Sequence, residues 1–145
     1  MVLATTALND LRTYLPFTQL RLHCSKEKGR TFHVATVADS TGEAVVQYFS
    51  REMDAMPFAC GSFARLHGDN SNLAGNCERW GKDYGAYEVG KWGHEGMREL
   101  YEYSAFIGFL YHWAPNPVWN RWDCDDWDDN GASVSPGDFW KIYVR

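Results

Sequence analysis

The stretch from Phe17 to Thr36 constrains the fold more than any other part of the chain. Leu20, Leu22 and Cys24 alternate with Gln19, Arg21 and His23, KEKGR intervenes, and Phe32, Val34 and Thr36 resume the alternation. A period of two describes a strand with one apolar and one polar face, and the interruption carries the residues of a turn. A one-residue slip would turn every apolar side chain into water, so the register follows. Leu22 is predicted opposite Val34, Cys24 opposite Phe32 and, on the outer face, His23 opposite His33. A second turn at DSTG and the run EAVVQYFS extend this to a three-stranded meander over residues 17–50.

Around this meander the other segments are shorter in signal. Residues 5–15 predict a short helix packed on a sheet: Thr6 caps it, Leu8, Leu11 and Leu15 recur at helical spacing, and Pro16 ends it. Residues 57–98 are loop-rich, with seven of the 13 glycines between Gly68 and Gly96 and Asn70, Asn72 and Asn76 among them. Two echoes, RWGKDYG and KWGHEGM, read as similar turns, each anchored by a Trp. Residues 100–145 read as aromatic strands with an acidic loop. YEYSAFIGFLYHW gives one or two buried strands broken near Gly108, Pro115 and Pro117 stop them, and FWKIYVR is a final strand with Trp140, Ile142 and Val144 on one face. The expected fold is one strand-rich domain over 1–145, mainly β with α+β as the variant, with a short N-terminal helix and long Gly/Asn-rich loops.

Four cysteines, Cys24, Cys60, Cys77 and Cys124, have neither CxxC spacing nor a Cys/His pattern for zinc. Two disulfides are expected, and with them an oxidising, extracellular setting. Three connectivities are open. Cys60 with Cys77 closes a short loop and Cys24 with Cys124 ties an early strand to the acidic segment, and this pairing is preferred. No secretory leader is read from MVLATTALNDLRTYLP, and no N-x-[ST] sequon occurs. A net charge of -5 offers no overall basic field, so nucleic acid is not expected as a partner and an acidic ligand is disfavoured. No apolar run approaches the ~20 residues of a membrane-spanning helix, so no membrane insertion is expected.

Function is sought in WNRWDCDDWDDNG, residues 119–131, where three tryptophans meet five aspartates. Asp126, Asp128 and Asn130 followed by Gly131 form the first half of a calcium loop, because hard cations need converging oxygens and glycine lets the backbone bend round them. The twelfth position is Gly137 and no helices flank it, so this is not an EF-hand. Asp138 is the candidate fourth metal ligand. The bland alternative is a solvated acidic loop that needs no ion, and a further one is aspartates that cap turns or pair with Arg121 and Lys141.

Tryptophan faces beside carboxylates and carboxamides suit sugars, which makes Trp119, Asn120, Asp125 and Trp127 the candidate ligand-binding residues, with calcium the candidate cofactor. Of Trp113, Trp119, Trp122, Trp127 and Trp140, at least three are expected in the core. No nucleophile, zinc, phosphate or dinucleotide motif is present, and no catalytic residue is assigned. The His23/His33 pair reads as surface, with no metal. The expected function is a secreted, lectin-like carbohydrate-binding protein whose partner is a glycan. The first alternative is an extracellular matrix or adhesion module that recognises a protein. The second is a small glycoside hydrolase drawing a carboxylate pair from Asp123 to Asp129 with Glu95 or Glu99.

Overall fold

Two runs of strictly alternating residues meet in the predicted register. In the computed structural model, which describes residues 6–79, 90–93, 97–98, 106–107, 111–117, 120–126 and 134–145, β1 (Leu20–Ser25) pairs antiparallel with β2 (Thr31–Thr36). Leu22 faces Val34, His23 faces His33 and Cys24 faces Phe32. The final alternating run becomes β7 (Phe139–Val144), antiparallel on the other side of β1, with Arg21 opposite Tyr143 and His23 opposite Lys141. A short β3 (Phe63–Arg65) completes a four-stranded sheet in the order β3-β2-β1-β7.

The third strand expected within 17–50 is instead a helix, α2 (Ser40–Phe49). The Asp39 carboxylate accepts hydrogen bonds from the Thr41 and Gly42 amides and so caps its N-terminus. Gly42, Val45, Val46 and Phe49 then fall at helical spacing on its buried side. The apolar side chains of Val45, Val46 and Phe49 join Leu20, Leu22, Phe32 and Val34 in one core, so α2 covers the inner face of the sheet. Burying the larger aliphatic side chains here contributes roughly 1.5–3 kcal/mol each. Gly42 has a packing reason of its own: a Cβ there would lie 1.9 Å from the Val37 carbonyl oxygen.

The N-terminal helix α1 (Ala7–Tyr14) forms within the predicted range, but Thr6 does not cap it, its hydroxyl donating to the Asp10 carboxylate instead, and only Leu8 of the three leucines is buried. Arg12 does more to hold it, pairing with Glu43 and Glu52. In the loop-rich middle, α3 is a single turn (Asn72–Gly75) capped by the Ser71 hydroxyl, and Phe58 and Lys91 form an isolated bridge. Trp92, from the second of the two echoes, is fully buried between the Phe49 and Phe63 ring edges and donates to the Ser62 hydroxyl at 2.7 Å. Its counterpart Trp80 lies outside the described residues.

A second sheet, β4-β5-β6, is built from β4 (Phe106–Ile107), β5 (His112–Asn116) and β6 (Arg121–Asp126). Pro115 does not stop β5 but sits within it, opposite Trp122. Among the described residues β4 pairs with His112 and Trp113. Both disulfides are formed, Cys24–Cys124 and Cys60–Cys77, with Cα atoms 5.8 and 5.4 Å apart. The first joins the end of β1 to β6. The molecule is a strand-rich α+β domain in which the two sheets share one core.

Candidate functional site

The acidic stretch is not a loop through Asp126; it is strand β6, and its carboxylates face partners within the protein. Asp123 and Asp125 are buried. Asp125 accepts from the Asn72 and Leu73 amides, both at 2.7 Å, and from the Arg30 guanidinium. Burial pushes its carboxyl above the ordinary value, while those two amides and Arg30 oppose the shift. Asp126 accepts from Lys26 Nζ at 2.5 Å and from the Cys124 amide at 2.6 Å. Asp123 Oδ2 lies 3.5 Å from His112 Nδ1. The turn between β1 and β2 thus supplies the cations for an acidic segment that follows it by about a hundred residues.

The aromatic half of the stretch has a matching role. Trp113 is fully buried, Trp122 and Trp140 are half-buried with ring centres 5.3 Å apart, and the Trp140 indole N–H donates to the Asp123 carbonyl at 2.9 Å. Lys26 lies 5.9 Å from the Trp140 ring centre and Arg30 lies 5.3 Å from that of Tyr111. Charge and rings are adjacent because the cations that neutralise the aspartates also pack on the rings.

Of the expected ligand-binding residues, Asn120 is exposed in a turn at φ 51, whereas Asp125 is enclosed by protein donors. Trp119 and Trp127 lie outside the described residues, as do Asp128 and Asn130. The remaining candidate metal ligands, Asp126 and Asp138, already have partners. Against the desolvation that would raise it, the Ser135 and Glu27 amides and the Lys26 charge hold the Asp138 carboxyl below its ordinary value. An ion at Asp126 would have to displace Lys26. Among the described residues no three His, Cys, Asp or Glu side chains converge as a metal site.

The exposed chemistry lies elsewhere, on the outer face of the four-stranded sheet. Register and alternation put Arg21, His23 and Ser25 of β1, Thr31, His33 and Ala35 of β2, Ala64 of β3, and Phe139, Lys141 and Tyr143 of β7 on that face. No carboxylate is among them. Arg12, Lys26, Arg30, Arg65 and Arg98 each have a carboxylate partner. Arg21 and Lys141 have none among the described residues. Arg21 lies 4.6 Å from the Tyr143 ring centre and donates from Nε to His33 Nε2 at 2.8 Å. His33 therefore carries its proton on Nδ1, which donates to the His67 carbonyl at 2.9 Å. The His23 and His33 rings stack at 3.8 Å, and the Phe139 ring meets His23 edge-on. His23 is lowered from 6.5 to about 4, first by burial and then by the adjacent His33 ring and the charges of Arg21 and Lys141. Beside this cluster a hollow of about 420 Å³ is lined by Gln19, Arg21, Ala35, Leu66, Tyr143 and Arg145.

Sequence reasoning put Arg21, His23 and His33 on this face but missed Lys141, Tyr143 and Arg145. Their alternation with Trp140, Ile142 and Val144 was the available signal. Against known proteins, no family model, curated protein or solved structure matches the chain. The two disulfides fit an oxidising compartment, and among the described residues no helix is long and apolar enough to cross a membrane. The class that fold and site define is a disulfide-stapled α+β domain with one open, cationic sheet face.

Proposed function

We propose that this protein is an extracellular recognition module that binds carbohydrate on the open face of its four-stranded sheet and performs no chemistry. The observation that carries this reading is the hollow beside Arg21, Tyr143 and Arg145, with donors left over after internal pairing. The terminal nitrogens of Arg21, the Lys141 ammonium and the Tyr143 hydroxyl present hydrogen-bonding groups to solvent, as recognition of a hydroxyl-rich ligand requires. An antiparallel sheet held by a disulfide keeps them in fixed register, which lowers the ordering cost of binding.

Binding to a broad glycan array, run with millimolar calcium and with EDTA, tests the proposal. Selective binding lost on Tyr143→Ala is the expected result, and the EDTA arm decides whether calcium takes part. Absence of binding by the folded protein under both conditions refutes it. The adhesion reading would then lead, supported by Phe58, which is 65% exposed with Lys91 Nζ 5.4 Å from its ring centre.

A further inference from the structure

We infer that the ligand of the outer sheet face is a sulfated polysaccharide, bound by Arg21, Lys141 and Arg145 around Tyr143. This rests on the carbohydrate reading above and adds the chemical class of the sugar.

The placement follows from strand geometry. Lys141 and Tyr143 stand at alternate positions along β7, about 7 Å apart, and Arg145, just beyond its end and bonded to the Gln19 backbone, continues the alternation. Arg21 stands across from Tyr143, so it is the diagonal neighbour of Lys141, at about 7–8 Å. Three permanent cations thus surround one tyrosine. Spread over more than a single anion spans, they suit a polymer with repeated fixed charges. Of the described carboxylates beyond the strands, Asp69 is buried and taken up by the His33 amide and Arg65, and Asp138 accepts from the Glu27 amide. The Arg21 Nε is held by His33, which leaves its two terminal nitrogens to engage two oxygens of a tetrahedral oxyanion.

The same contacts argue against a nucleic acid and against a neutral sugar stacked on the rings. Lys141 Nζ lies 4.4 Å from the Phe139 ring centre and the Arg21 guanidinium lies 4.6 Å from that of Tyr143. Rings covered by cations are not platforms for bases or for sugar C–H faces. They orient the charges instead. His23 sits between Arg21 and Lys141, and its pKa is lowered first by burial and only then by the neighbouring charges.

The experiment is titration of the intact, oxidised protein with a heparin-type fragment, its chemically desulfated counterpart and a neutral polysaccharide, over a range of salt. Three ionic contacts predict an affinity falling roughly 20-fold between 50 and 200 mM salt, and one fewer predicts roughly sevenfold, by the counterion release that governs linear polyanions. Lys141→Gln alters an exposed residue and should show the shallower dependence without loss of fold, while Arg21→Lys should retain most of the salt slope. In NMR the His23 ring should titrate at higher pH once the sulfated chain is bound.

Equal binding of the desulfated chain, or salt-insensitive binding of the neutral one, overturns the sulfate assignment and leaves the carbohydrate reading standing. Sulfate-dependent binding unchanged by both Lys141→Gln and Arg21→Gln overturns the placement. Failure of every sugar to bind overturns both.

Discussion

Replacing Asp125 tests whether β6 is held to the rest of the domain by its buried charge. Its carboxylate is fully enclosed, and it accepts from the Asn72 and Leu73 amides and from Arg30. Asp125→Asn keeps the shape and a residue type that tolerates φ 60, so it isolates the charge and one acceptor. Arg30 is 41% exposed and regains water, which takes the cost below the ~3–5 kcal/mol of a fully buried broken pair. A buried amide left without its acceptor cannot do the same and costs about 1–3 kcal/mol. The sum is about 2–4 kcal/mol, a large share of the ~5–15 kcal/mol of a typical domain. With a urea m-value near 2 kcal/mol per M, the midpoint should fall by about 1–2 M. Asp125→Gly loses every side-chain bond but fits the backbone. Asp125→Ala loses the same bonds and adds about 1–2 kcal/mol for its Cβ in the left-handed region. The expected order of stability is wild type, Asn, Gly, Ala. An Asn variant within about 0.5 kcal/mol of wild type, or an Ala variant above Gly, would refute the account.

Three further outcomes follow from the packing. Gly42→Ala, a change worth about 1 kcal/mol of stabilisation in an ordinary helix interior, should instead destabilise by roughly 1–3 kcal/mol, because the new Cβ meets the Val37 carbonyl; a raised thermal midpoint would disprove the close approach. Replacing Cys24 and Cys124 by serine opens a loop of sequence separation 100 and should cost about 4–5 kcal/mol, against about 3 for Cys60 and Cys77 at separation 17, and paired urea titrations should preserve that order. His23 titrates near 4 in the folded chain against 6.5 when unexposed to the fold, so the unfolded chain takes up the proton first. Stability from this group is complete above pH 6.5 and declines toward pH 4, by about 1 kcal/mol after solvent screening, and His23→Gln should flatten that part of the stability–pH curve.

What could be read from the sequence was whatever a local pattern fixes. The β1–β2 register was legible because only one pairing buries Leu22, Cys24, Phe32 and Val34 together. The β7 alternation was equally plain. α2 was misread because DSTG resembles a hairpin turn and Val45–Val46 resembles a strand, although Asp39 as a cap and the 42, 45, 46, 49 spacing pointed to a helix. The role of the acidic stretch was not legible at all, because the partners of Asp125 and Asp126 are Arg30 and Lys26, 95 and 100 residues away. A sum of charges misleads for the same reason. The figure of -5 does not say where the charges lie: Asp125 and Asp126 form pairs with Arg30 and Lys26 that cancel in the sum and contribute little to the field a ligand meets. Arg21 and Lys141 have no such partner among the described residues, so the outer face is positive in a chain that is negative overall. Net charge predicts a partner only where charges are scattered. Here β1, β2 and β7 sort them, and the sorting depends on pairings between strands more than a hundred residues apart.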